Sequence, residues 1–156
     1  MLFAITMLGS AWVMVPIGMG MAWRLTVMHR RRQAVLLAIG YLVAELLSNL
    51  LKAAFQRPRP AVYFQLLRAD TFSFPSGHAL VSTVFYGLTA CVLASVYPSR
   101  RAGAAIAVVV IALTIGLSRV YLGYHYPSDV LAGWTCAIGW LALCGPAVYE
   151  AGEPQK

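Results

Sequence analysis

Five stretches of this chain are so apolar, and so nearly free of charge, that they constrain the fold before anything else does. They run from Leu2 to Trp23, Ala34 to Leu51, Ala79 to Tyr97, Ala102 to Leu117 and Val130 to Tyr149. A helix needs about 20 mostly apolar residues to cross the hydrocarbon core of a bilayer. The fourth stretch is the shortest, and its helix is expected to continue through Ser118 and Arg119. Pro16 and the glycines of the first run are tolerable, because neighbouring membrane helices compensate for such residues. Only 11% of the 156 residues are charged and 60% are hydrophobic, too little charge to cover a soluble domain of this size. No repeat or linker interrupts the pattern. The expectation is one all-α domain over 1–156, an integral membrane bundle of about five transmembrane helices. The first run has no basic stretch before it and no cleavage-site pattern after it, so it reads as a helix rather than a signal peptide.

The net charge of +7 raises the possibility of nucleic acid, but the distribution argues against it. Such binders carry basic residues on a solvated face, whereas these sit in the gaps between apolar runs. One alternate set of gaps holds Arg24, Arg30, Arg31 and Arg32, then Arg100 and Arg101, then the tail with Glu150, Glu153 and Lys156. The other holds Lys52, Arg57, Arg59, Arg68 and Asp70, then Arg119, His125 and Asp129. The first set is short and basic, which assigns it to the cytoplasm by the positive-inside rule and turns the second set outward. Five spans with a cytoplasmic tail place the N-terminus outside. Cys91, Cys136 and Cys144 lie inside apolar runs with no CxxC pair, a pattern of helix packing rather than of disulfides or zinc.

Nearly all the informative polar residues fall in three motifs. They are Lys52-Ala-Ala-Phe-Gln-Arg57-Pro58-Arg59-Pro60, Pro75-Ser76-Gly77-His78, and Ser118-Arg119 followed by His125 and Asp129. Lys52 ends the second apolar run and His78 opens the third. The chain then crosses and returns, so Arg119 arrives at the face His78 left. All three motifs therefore meet at one membrane face. Lys52, Arg59 and Arg119 supply cations, two of them planar forks suited to phosphate oxygens. Ser76 and Gly77 stand at a helix N-terminus, where backbone N–H groups and the dipole favour an anion, and Gly77 lets an oxyanion approach closely. With five acidic residues in the whole chain, no carboxylate cluster can hold magnesium; no metal and no cofactor are expected. One histidine can attack phosphorus while the other protonates the leaving oxygen. Asp129, four residues after His125, is expected to accept a hydrogen bond from its ring. The arrangement predicts a phosphohistidine intermediate that water then hydrolyses.

These spacings, Lys-x6-Arg-Pro, Pro-Ser-Gly-His and Ser-Arg-x5-His-x3-Asp, resemble the type 2 phosphatidic acid phosphatase superfamily, which spans membrane lipid phosphatases, glucose-6-phosphatases and soluble vanadium haloperoxidases. The likeness covers about residues 35–148. It implies that Lys52, Arg59, Ser76, Gly77 and Arg119 hold phosphate, that His125 is the nucleophile supported by Asp129, and that His78 is the general acid. Membrane members of that family commonly have six spans; this chain starts, by its hydropathy, at the second.

Other residues have plainer expectations. His29 reads as solvated among arginines. Arg57 divides evenly between phosphate or headgroup contact and marking the interface; Arg68 and Asp70 read as loop surface. Glu45, Asn49 and Lys52 share a helical stripe with Tyr41, expected as a hydrogen-bond network behind Lys52. Tyr121, Tyr124, Tyr126 and Trp134 suggest an aromatic belt. The reading is a metal-independent lipid phosphatase in a bacterial inner membrane with its site facing the periplasm. Undecaprenyl diphosphate and phosphatidylglycerol phosphate are preferred over phosphatidic acid and lipid A phosphates as substrate. A lipid phosphotransferase with the same site, and a non-catalytic carrier or scaffold, are the alternatives. The bilayer and a lipid phosphate are the expected partners, with no nucleic acid.

Overall fold

Backbone polar groups find no water in hydrocarbon, so an apolar run stays there only by closing its own hydrogen bonds as a helix. A computed structural model describes residues 2–61 and 71–152 and forms helices from every apolar run. The helices are α1 (Leu2–Met7), α2 (Ala11–Val27), α3 (Arg31–Phe55), α4 (Gly77–Val96), α5 (Arg101–Tyr121) and α6 (Pro127–Glu150), with a short 3-10 turn at Pro98–Arg100. Among the described residues there is no strand. The expectations for Arg68, Asp70, Glu153 and Lys156 lie outside the described residues.

Four helices are long and apolar enough to cross a bilayer, and α2 is a shorter apolar fifth. The first run corrects the expectation of one continuous span. It breaks at residues 8–10 into α1 and α2. The Ser10 hydroxyl donates to the Met7 carbonyl at 2.6 Å, satisfying one of the orphan acceptors at the end of α1. Gly9 sits where a side chain has no room, since a Cβ there would stand 2.9 Å from Ile115 Cγ2 and 3.0 Å from His78 Cδ2. The fourth span does continue past Leu117, with Ser118 and Arg119 buried in the last turns of α5.

The centre of the bundle is α4. Its Leu80, Val84 and Leu88 are fully buried, and α3, α5 and α6 pack around it. The contact with α6 is close where Gly133 faces the start of α4: a Cβ there would meet the Ser76 carbonyl at 2.9 Å and Ala79 Cβ at 3.1 Å. That approach brings the first turns of α4 and α6 together. Outward faces stay apolar, with Trp12, Trp23, Leu131, Ile138 and Leu143 all exposed, as a lipid solvent permits. The three cysteines are free and half-buried in helix packing.

Alternate connections gather at opposite ends. At one end, buried Gln33 donates through its Nε2 to Ser95 Oγ at 2.8 Å and to the Val148 carbonyl at 2.9 Å. This ties the starts of α3 to the ends of α4 and α6. At the other end lie Lys52, Gly77, His78, Arg119, His125 and Asp129.

Candidate active site

Lys52 stands in the last turn of α3, which Gln56 closes in the left-handed conformation (φ 44) with its N–H on the Lys52 carbonyl. The turn sends Arg57 and Arg59 in different directions. Arg57 Nη1 reaches Asp129 Oδ1 and Ser128 Oγ, both at 2.8 Å, and its guanidinium lies 4.1 Å from the Tyr126 ring centroid. Of the two readings offered for Arg57, neither covers this: it braces the start of α6. Arg59 is held by donating from Nε to the Thr71 carbonyl at 2.8 Å, from Nη2 to Thr71 Oγ1 at 2.8 Å and from Nη1 to the Tyr124 carbonyl at 2.9 Å. The same Nη1 stands 3.4 Å from His125 Nε2.

The start of α4 forms the second wall. Ser76 caps the helix, its buried hydroxyl accepting from the Ala79 N–H at 3.4 Å. Its backbone N–H donates to the Asp129 carbonyl at 2.9 Å, so Ser76 has only its hydroxyl proton left to offer. The N–H groups of Gly77 and His78 open the helix and lack carbonyl partners within it. Gly77 faces Lys52: a Cβ there would stand 3.0 Å from Lys52 Nζ and 3.1 Å from Ser48 Oγ. Only a glycine lets the lysine amine and these N–H groups point at one small volume.

The third wall comes from α5 and the loop after it. Arg119 is buried; its guanidinium lies 4.2 Å from the Tyr124 ring centroid, and its Nη1 donates to Thr6 Oγ1 at 3.2 Å. Arg119 Nε has no hydrogen-bond partner among the described residues. His125, also buried, turns Nδ1 to the Ser73 carbonyl at 2.7 Å. A carbonyl only accepts, so Nδ1 carries the proton and Nε2 keeps its lone pair toward Arg59. This modifies the expected His125–Asp129 bond: Asp129 Oδ2 lies 3.5 Å from Nδ1, beyond the carbonyl that takes the hydrogen. The Asp129 carboxylate, fully buried, accepts instead from Arg57, from the Ser73 hydroxyl and from the Tyr126 N–H at 2.9 Å. It holds the Ser73 segment that in turn holds the imidazole.

The electrostatics are lopsided. Arg119, Lys52 and Arg59 all act on His78 and on His125, and none of the three cations makes an ion pair with a described carboxylate. Burial, first, and these cations, next, push the His125 pKa from 6.5 down to about 2, against an opposing pull from the Ser73 carbonyl. His125 is thus neutral at ordinary pH. Burial also lowers Arg59 from its usual value. An arriving anion relieves both costs. Among the described residues, no three His, Cys, Asp or Glu side chains converge as metal ligands.

The structure brings together the eight residues singled out in the sequence and adds Ser73, Arg57, Thr71, Tyr124 and Thr6. Of the expected aromatic belt, only Tyr121 is strongly exposed; Tyr124 and Tyr126 lie against guanidinium groups instead. Behind Lys52, the Tyr41 hydroxyl does bond Glu45 Oε1 at 3.3 Å, but Asn49 is exposed and stands outside that pair. His29 is exposed, as expected.

A helical membrane bundle with three cations that pair with no described carboxylate, and two histidines, at one mouth defines a class of membrane protein with a cationic pocket. Comparison with known proteins makes the class particular. The profile of the PAP2 superfamily matches residues 33–152, and the chain belongs to that superfamily. Phosphatidylglycerophosphatase B of Bacillus subtilis is 32% identical over 141 residues, covering 86% of this chain and 67% of that protein. An undecaprenyl-diphosphatase of Sulfolobus acidocaldarius is 28% identical over 95% of this chain and 69% of its own length. A lipid A 1-phosphatase of Rhizobium etli is 35% identical over 67% of this chain but only 45% of its own length. The crystal structure of a transmembrane PAP2-type phosphatidylglycerolphosphate phosphatase from Bacillus subtilis superposes with a TM-score of 0.89 at 27% identity, over 99% of this chain and 78% of that one.

Proposed function

We propose that this membrane phosphatase hydrolyses a terminal phosphate from a lipid diphosphate or lipid phosphomonoester by way of a phosphohistidine on His125. The observation that carries the reading is His125 Nε2, its lone pair turned toward Arg59 while Nδ1–H is held on the Ser73 carbonyl, among cations that make no ion pair with a described carboxylate. The phosphate is gripped by Lys52, Arg59, Arg119, the Ser76 hydroxyl and the Gly77 N–H. His125 Nε2 donates its lone pair to phosphorus as the bond from phosphorus to the lipid oxygen breaks. His78 delivers a proton to that oxygen. Water then attacks the phosphohistidine, His78 takes the water proton back, and inorganic phosphate leaves with His125 neutral again. Nδ1–H on the Ser73 carbonyl keeps the imidazole oriented through both steps.

Among lipids, undecaprenyl diphosphate and phosphatidylglycerol phosphate remain the preferred substrates, supported by the names of the similar proteins. The basic gaps Arg30–Arg32 and Arg100–Arg101 belong in the cytoplasm, which turns the site to the periplasmic face of a bacterial inner membrane. The test is inorganic phosphate release by detergent-purified protein from a panel of lipid phosphates, with EDTA present. Release that survives EDTA and ranks one lipid first supports the reading. Phosphate appearing on an added alcohol, with none in water, makes the protein a phosphotransferase; no turnover of any lipid overturns the reading.

A further inference from the structure

The family likeness begins at residue 33, yet the site is not complete without residues far upstream of it. Thr6, in α1, is buried and accepts the only hydrogen bond that the Arg119 side chain makes among the described residues. Three residues later, Gly9 lies against His78: a Cβ there would stand 3.0 Å from the ring's Cδ2. The break between α1 and α2 is itself pinned: the Tyr86 hydroxyl of α4 donates to the Leu8 carbonyl at 2.8 Å. Residues 6–9 therefore touch two groups of the proposed site, Arg119 and His78.

We propose that Thr6 and Gly9 are positioning residues, Thr6 selecting the edge of Arg119 that meets phosphate and Gly9 seating the ring of His78. This rests on the proposed phosphatase chemistry. A guanidinium offers two forked edges to an oxyanion. With Nη1 engaged by Thr6 Oγ1 and one face on the Tyr124 ring, rotation about the last side-chain bonds is stopped from both sides. The edge through Nε, buried and without a partner among the described residues, is the one left for phosphate oxygens. Without Thr6, the guanidinium can swing and present a single N–H. Gly9 acts differently. A methyl at that position meets Ile115 Cγ2 and the His78 ring at the same time, and a ring that yields to it loses its seat.

The two roles separate by measurement. Thr6→Val keeps shape and removes the acceptor. It is expected to weaken orthovanadate inhibition and kcat/KM together by about 10-fold or more, while Thr6→Ser returns both to within threefold of the parent. Gly9→Ala is expected to leave vanadate binding within threefold and lower kcat on the lipid substrate, with much of the loss recovered on an aryl phosphate whose leaving group needs no proton. Each variant is first checked for an unchanged gel-filtration profile and unfolding temperature. Parent-like vanadate inhibition and kcat/KM in Thr6→Val, or a Thr6→Ser no better than Thr6→Val, overturns the role of Thr6. A Gly9→Ala deficit equal on lipid and aryl substrates overturns that of Gly9. If the parent hydrolyses no lipid phosphate, direct vanadate binding still reads the Thr6 seat, so failure of the function and failure of this inference are told apart.

Discussion

At one end of α4, Gln33, Ser95, Arg30 and the Val148 carbonyl bond to one another, and only Gln33 Oε1 is left over. At the other end, Lys52, Arg59 and Arg119 crowd round two histidines with no carboxylate of their own among the described residues, because Asp129 is spent on Arg57, Ser73 and Tyr126. Both clusters are polar and partly or wholly buried at the rim of the same apolar helix. One is closed and holds three helices in register. The other is deliberately unbalanced, and only an incoming anion closes it. A polar cluster in a membrane protein is a candidate for function when its charges do not cancel within the protein.

Substitutions at the two ends should therefore separate activity from stability. The largest effect is expected from His125→Ala, which removes the nitrogen proposed to attack phosphorus and should drop phosphate release to background in a protein that still folds. His78→Ala follows, with a loss of about 10²–10⁴-fold on lipid substrates. Arg57→Lys comes next. It keeps the charge but loses the paired contacts to Asp129 and Ser128 and the stacking on Tyr126, so kcat should fall about 10-fold with KM little changed. The opposite end gives the reverse signature: Gln33→Leu removes two hydrogen bonds, lowers the unfolding temperature by an amount worth about 1–3 kcal/mol, and leaves kcat/KM within twofold. A Gln33→Leu protein that is stable but inactive breaks the comparison.

The smallest effect is set by pH. His125 folded has a pKa of about 2 against an ordinary 6.5 when unfolded, so between those values the unfolded chain binds a proton that the folded one does not. Stability is complete above about pH 6.5 and falls as pH drops below it; over the first pH unit below 6.5 the loss from this one group is on the order of 1 kcal/mol. The unfolding temperature of the empty protein should fall through that window. The slope should shrink with vanadate bound, or in His125→Gln.

Much of this was legible in the residues. The four long spans follow from hydropathy, and the meeting of Lys52, Gly77, His78, Arg119 and His125 follows from counting crossings. Proximity of short polar motifs on one face needs no side-chain geometry. What sequence could not supply was which partner each group takes. Asp129 four residues after His125 suggests a direct bond, but the Ser73 carbonyl lies nearer the ring nitrogen, and a backbone acceptor carries no residue signature. Arg57 was ambiguous because its role depends on where α6 starts relative to the end of α3. Thr6 was invisible because one threonine in an apolar run gives no sign that the run breaks at Gly9 and turns back onto α5.

The central claim is that phosphorus is attacked by His125 rather than directly by water. It is tested most directly by mixing the protein with a lipid phosphate, quenching in alkali on the timescale of one turnover, and mapping phosphorylated peptides by mass spectrometry. The account predicts an acid-labile, alkali-stable phosphate on His125, accumulating when His78 is replaced and an aryl phosphate is used. Turnover with no phosphopeptide at any quench time, or phosphate found on His78, contradicts it.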